Sequence, residues 1–292
     1  MPKRISTARG REFGAGIRAA IANAGLTSRA VADILDWDEA KLSDVVNGKG
    51  GASEIEIAML LGVCRVEAAE VRHLLSLYPE TRIRGWWQQH GTCAPVRLRT
   101  VVEHLAVAET LTSWHTHMVP VFLQTVDYMR EVLLASSTAP VAELQDRVES
   151  LLTCQESLRH DVKCTYFIHE LALQLKVGGA EVHAGQLLHL LHMANRLNVT
   201  IRIVPAALGA HAGLAGPFTH LSFSKYEPLV WVETENSSLL VEEKDAIEGY
   251  DNVVCALDEN SLDEADSKDL IIRLYHASSA IEDETRASLR TE

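Results

Sequence analysis

Apolar residues recur at helical spacing through the first quarter of the chain. Phe13, Ile17, Ala20 and Ile21 make one stripe, closed by Gly25 as a C-cap signal. Val31, Ile34 and Leu35, then Leu42, Val45 and Val46, predict two short helices about a turn at Asp36-Trp37. Thr27 and Asp38 stand just before these runs, where a side-chain oxygen accepts from an orphan N–H of the first turn. Asn47-Gly48-Lys49-Gly50-Gly51 breaks the pattern. Ser53 with Glu56 then forms a capping box ahead of Ile57, Leu60 and Leu61, and a further helix over 66–77 stops at Tyr78-Pro79. Five short helices of this kind complete a small domain.

Beyond residue 79 the pattern changes. Residues 80–95 read as a linker or docking element whose Trp86 and Trp87 pack between domains. Residues 101–134 have a helical pattern broken at Val119-Pro120, and another helix is expected over 141–159. Strands are expected at 164–169, 199–204, 218–223, 229–233 and 237–242, with helices over 183–196 and 267–275. The expected fold is α+β: a five-helix domain over residues 1–79 and a larger mixed α/β domain over 80–292.

The second and third helices have the outline of a helix-turn-helix, whose second helix enters the major groove of DNA. Candidate DNA-contacting residues are Arg18, Ser28, Arg29, Glu39, Ala40, Lys41, Ser43, Asn47 and Lys49, with Arg4, Arg9 and Arg11 as further phosphate-facing bases. Between Lys3 and Arg29 six bases are opposed only by Glu12. The reading helix is unusual in charge: Asp38, Glu39 and Asp44 stand against Lys41 alone. A net charge of −13 over 292 residues argues against a general nucleic-acid coat or a binder of anionic membranes.

No apolar run approaches the roughly 20 residues that span a bilayer, and the N-terminal residues lack a signal-peptide core. Five cysteines without a C-x-x-C pair fit reduced, structural thiols in the cytoplasm. His189 and His192 have helical spacing for a shared metal, but no HExxH accompanies them and no metal is expected. The glycine-rich stretch 209–218 lacks the strand and helix context of a dinucleotide site, so no cofactor is expected either. That stretch is a candidate cover for a ligand pocket lined by Trp114, Phe122, Gln124, Tyr128, His211, Phe218 and Trp231. If the chain were an enzyme, His169, Glu170 and His211 would be the acid–base candidates, although adjacent strand residues such as His169 and Glu170 point apart.

Gly85-Trp86-Trp87, Val119-Pro120-Val121-Phe122-Leu123-Gln124-Thr125 with Tyr128, Gln155, Glu170, Gly178-Gly179, Gln186-Leu187 and Asn198-Val199-Thr200 follow one another in a distinctive order. So do Val204-Pro205, residues 209–214, Phe218 and Val232-Glu233-Thr234. In these residues the chain resembles actinobacterial XRE-type, lambda-repressor-like regulators with an antitoxin-like C-terminal domain. The resemblance implies a cytoplasmic, dimeric regulator of operator DNA, whose second domain receives a small-molecule effector or a small protein partner. The chain departs from that pattern at Ser28, Glu39 and Asp44, where relatives carry Gln or Arg, and at Val121, where they carry Gly. The alternative reading is a regulator scaffold reused as a cofactor-independent enzyme or small-molecule binder.

Overall fold

The computed structural model describes residues 6–83, 86–89, 94–136, 141–234 and 237–289. Lys3, Arg4, Gly85 and Cys93 lie outside the described residues. The architecture is α+β, with an N-terminal helical unit followed by a mixed sheet flanked by helices.

The helical unit contains α1 (Ala8–Asn23), α2 (Ser28–Leu35), α3 (Glu39–Val46), α4 (Glu54–Val63) and α5 (Ala68–Leu77). Its local signals act as their chemistry dictates. Thr27 Oγ1 accepts from the Ala30 N–H, Asp38 from the Lys41 N–H, and Ser53 and Glu56 form a reciprocal capping box. Asp36 takes the left-handed conformation at φ 51° and turns the chain between α2 and α3. Phe13, Ile17, Val31, Leu42, Val45, Ile57, Leu60, Leu61 and Leu74 fill the core of this unit.

Two glycines bring backbone against backbone. A Cβ at Gly10 in α1 would lie 2.3 Å from the Gly48 carbonyl oxygen, and one at Gly48 would lie 1.8 Å from the Gly10 oxygen. Gly48 also has φ +67°, so a side chain there meets both strain and contact. This close approach fixes the first turns of α1 to the end of α3.

The remainder contains β1 (Trp86–Gln89), α6 (Ala94–Leu105), β2 (Thr110–His115), α7 (Val126–Ala135), α8 (Leu144–Ser157), β3 (Lys163–His169) and α9 (Glu170–Gln174). It continues with α10 (Gly179–Met193), β4 (Val199–Val204), β5 (Phe218–Ser222), β6 (Leu229–Glu233), β7 (Ser237–Val241), α11 (Lys244–Asn260) and α12 (Glu264–Leu289). The seven strands form one sheet ordered β1-β7-β6-β5-β2-β3-β4, in which β2, β3 and β4 are parallel and the other pairings antiparallel. Parallel neighbours require crossovers, supplied by α7 with α8 and by α9 with α10. Strand alternation divides the core. Leu111, Tyr166, Ile168, Ile201, Leu221 and Trp231 face one side with α6, α10 and α12, whereas Trp114, Phe167, Val204, Phe218 and Val230 face the other with Ile247 and Leu257 of α11.

Three elements differ from the pattern-based expectation. Residues 110–115, read as part of a helix, form the central strand β2: both faces are covered, so the alternation of a half-buried strand is missing. Trp86–Gln89, read within a linker, pairs with β7 as an edge strand, with Trp86 opposite Leu240. Residues 244–260, where the pattern predicts no element, form α11, whose apolar residues Ile247 and Leu257 cover the second face.

The two units meet at the start of α1. Ala8 is fully buried and belongs to the core of the sheet unit. Arg11 Nε donates to His104 Nε2 (2.9 Å), its Nη2 reaches Glu242 Oε1 (3.1 Å), and its guanidinium lies over Phe223 and Tyr226. Glu12 accepts from Arg9 and Thr100 and lies 3.4 Å from His73 Nε2. Burial pushes the Glu12 carboxyl up, but hydrogen bonding and charge from His73, Arg9 and Thr100 outweigh it and hold the group at about 2. Burial, reinforced by the Arg11 charge, lowers His104 to about 3.

Gly48→Ala is expected to destabilise the protein by about 2–5 kcal/mol, the sum of left-handed strain and overpacking. Gly62→Ala, in a helix where nothing lies within 4 Å of the new methyl, should instead add about 0.5–1 kcal/mol. Urea denaturation of the pair checks the contrast. A pH series tests the seam. The folded value of His104 lies below its ordinary 6.5, so the unfolded chain takes up the proton first and stability falls from pH 6.5 towards about 3. Glu12, ordinarily at 4.5 and here at about 2, adds a second loss between those values. Urea midpoints should therefore decline from pH 7 to 5, less steeply in His104→Asn; equal midpoints across that range would show that the buried His104 does not couple folding to protons.

Candidate functional site

Two regions hold the candidate chemistry. In the first, α2 and α3 enclose a shallow groove of about 350 Å³ lined by Ser28, Arg29, Ala32, Glu39, Leu42, Ser43 and Val46. Leu42 and Val45 anchor α3 in the core, which turns Glu39, Ala40 and Ser43 to solvent. Arg29 and Lys49 are exposed at its rim.

Other predicted contacts are already committed. Lys41 Nζ sits 2.5 Å from Glu56 Oε1 on α4 and 4.6 Å from the centre of the Trp37 ring. Its hydrogen bond, followed by those from Ser53, holds the Glu56 carboxyl at about 2. Asn47 Nδ2 donates to the Ser43 carbonyl, and Arg18 donates to the carbonyl of Val46. Arg18 and Asn47 thus finish the end of α3. Arg9 and Arg11 are buried in ion pairs with Glu12 and Glu80 and with Glu242, so they are corrected from phosphate-facing to structural.

The second region lies at the carboxyl ends of β2 and β3. Trp114 is fully buried, and its indole N–H donates to the Gly213 carbonyl (2.8 Å). The rings of His169 and His211 stack on each other with centroids 5.7 Å apart, and each meets Trp114 edge-on. His169 Nδ1 accepts from the Leu171 N–H and His211 Nδ1 from the Gly213 N–H. In the neutral form each ring therefore carries its proton on Nε2. Burial, then the neighbouring His169, lowers His211. Nε2 of His211 is buried and has no hydrogen-bond partner among the described residues. This is where an open parallel sheet places ligands, at the carboxyl ends of its strands.

Of the three acid–base candidates, the structure brings His169 and His211 together and separates Glu170. The Glu170 carboxylate accepts from the Ala206 N–H and from Gln174 Nε2, holding the turn after β4. The expected aromatic pocket does not converge on one cavity. Trp114 and Phe218 pack on the α11 face of the sheet, whereas Phe122, Tyr128 and Trp231 pack on the opposite face, as strand alternation requires. Gln124 is buried, and its amide donates to the Val119 carbonyl. Gln155 donates to the carbonyls of Val121 and Gln124, and Gln186 spans the Leu123 carbonyl and the Thr125 N–H. Three glutamines thereby fasten the loop after β2, a function the sequence does not announce.

His189 and His192 gain no further ligand: among the described residues no group of three or more His, Cys, Asp or Glu side chains is placed to hold a metal. Among the described residues, no helix is long and apolar enough to cross a membrane.

A model described as Domain of unknown function (DUF5753) matches residues 98–273. The chain belongs to the DUF5753 family. No curated protein and no solved structure matches it. The matched stretch takes in β2 through β7 with α7–α11, and it leaves α1–α5 outside. The His169–His211–Trp114 cluster is therefore a feature of the DUF5753 unit.

The pinned loop gives a direct test. A methyl on Gly213 would lie 2.6 Å from the buried Trp114 indole, so Gly213→Ala should cost about 1–3 kcal/mol. Its near-ultraviolet circular dichroism should lose the fixed Trp signal while the far-ultraviolet spectrum stays. An unchanged melting temperature would show that the loop does not depend on that contact.

Proposed function

We propose that the protein is a cytoplasmic, dimeric DNA-binding regulator whose DUF5753 unit senses a small molecule or a partner protein. One observation supports the reading: α2 and α3 are two short capped helices joined by a turn at Asp36, with Glu39, Ala40 and Ser43 on α3 turned to solvent. Arg29, beside the N-terminus of α2, and Lys49, just past α3, are exposed bases suited to phosphates on either side of a groove. Ser28, Ala40 and Ser43 are short enough to let α3 approach base edges, and Glu39 can accept from cytosine N4.

A second reading has its own support. Lys41 is engaged by Glu56, and Glu39 and Asp38 are exposed on the helix that would face phosphates. The paired imidazoles beside Trp114 favour a scaffold that binds a small molecule without DNA, or acts on it, through His169 and His211.

Fluorescence anisotropy with DNA tiling the region upstream of the gene separates the two. Regulation requires sequence-selective binding that weakens with salt, with Arg29→Ala and Lys49→Ala each reducing the salt slope by about 1. Glu56→Gln preserves the capping geometry but releases the charge of Lys41, so it should tighten binding at low salt. A folded protein that binds no fragment at low salt would exclude the regulator reading and leave the imidazole cluster as the site to pursue.

A further inference from the structure

The first turns of α1 touch both the end of α3 and the sheet unit. On one side, Gly10 meets Gly48 backbone to backbone, a methyl at Gly14 would lie 2.6 Å from the Val46 oxygen, and Ser6 Oγ donates to the Asn47 carbonyl. Val46, Asn47 and Gly48 are the last turn and exit of α3. On the other side, one residue along from Gly10, Arg11 is gripped by His104 of α6, by Glu242 just after β7, and by the rings of Phe223 and Tyr226 after β5. Glu12 adds Thr100 of α6.

We infer that these turns of α1 form a strut through which the DUF5753 unit sets the position of α3: the Arg11 seam holds the strut to the sheet, and the Gly10–Gly14 face holds the end of the reading helix to the strut. This rests on the DNA-binding reading of α3 and adds how that site is controlled. The strut is short and stiff, since both contacts lie within about one helical turn. Glycine contacts admit little slack, because backbone atoms cannot move aside as a flexible side chain does. The guanidinium fork is equally restrictive: an arginine that donates to two groups at once and stacks on two rings is not replaced by a lysine. β5 gives the strut a source of signal. It carries Phe218, in register with Trp114, at one end, and is followed at the other by Phe223 beneath Arg11. A ligand that displaces the His211 loop from Trp114 would act on the strand that supports the seam.

The test is amide exchange of the full-length protein, read by mass spectrometry. Arg11→Met paired with Glu242→Leu removes both charges, so neither is left buried alone, and Arg11→Lys keeps the charge but loses the fork. A strut predicts that exchange at Asn47, Gly48 and Lys49 speeds by about tenfold or more in the double variant, and less in the lysine variant. Ile57, Leu60 and Leu61 of α4 should stay at the wild-type rate. Wild-type rates at 47–49 in both variants, or an equal rise in 47–49 and in α4, would overturn the inference. Anisotropy on the same proteins keeps the two claims apart. A selective rise at 47–49 from a wild-type protein that binds no DNA leaves the strut standing and removes the DNA reading.

Discussion

A guanidinium with 7% of its side chain exposed has to be neutralised where it lies, and Arg11 meets that demand with the Glu242 carboxylate of the other unit, its Nη1 donating besides to the Ser6 carbonyl. Removing one partner of such a pair typically costs about 3–5 kcal/mol, because the remaining charge stays buried without compensation. The pair is weak evidence for high stability, since apolar replacements of similar shape often serve as well. It is better evidence for a fixed arrangement. A hydrophobic seam would tolerate sliding, whereas a forked donor between a carboxylate, an imidazole nitrogen and two ring faces accepts one geometry. The imidazole participates only as an acceptor at Nε2, so burial that keeps His104 neutral is part of the same device.

The α3 surface depends on a second electrostatic choice. Lys41 is turned towards Glu56 and Trp37, which removes from the outer face the only base within the helix. The acids are not similarly withdrawn: Glu39 is exposed and Asp38 is spent only in part on the cap. The balance of the α3 surface is therefore set by an interaction with α4, and Glu56 serves it twice, through the capping box and through Lys41. The exposed bases beside this surface are then the flanking residues Arg29 and Lys49.

Local chemistry made the helical unit legible. Thr27, Asp38 and Ser53 cap because a short oxygen-bearing side chain before an apolar run has few other uses. β4 and β6 were legible because branched and aromatic residues alternate between turn signals. β2 was not, because a strand covered on both faces has no periodic signature, and Thr110, Thr112 and Ser113 gave no sign that Leu111, Ser113 and Trp114 would all be fully buried. The basic cluster before α2 misled for a different reason. Charge at Arg9 and Arg11 reads as solvent-facing unless the partners are visible, and Glu242 lies 231 residues away in sequence from Arg11. The aromatic pocket failed on parity: Trp114 and Trp231 occupy opposite faces of one sheet, which composition cannot reveal.

The same sheet explains why the two candidate regions need not be independent. β2 and β5 are hydrogen-bonded neighbours at its centre, running from the Trp114–Phe218 pair at one end to Thr110 and Ser222 at the other. A central strand cannot shift alone, since ladder bonds on both sides hold its register and a one-residue slip would reverse every face. Motion at the imidazole cluster is therefore confined to the loops, or it moves strands as a group. The three glutamines that fasten residues 119–125 close one of those loops to motion, which leaves the glycine-rich segment over Trp114 as the more compliant side. It meets Trp114 through the indole bond to Gly213 and the edge-on ring of His211, whose Nδ1 accepts from the Gly213 N–H within the same segment. A ligand competing for those two contacts would disturb the end of the central strand pair first, and the other end of β5 is followed by Phe223, over which Arg11 of the seam is stacked.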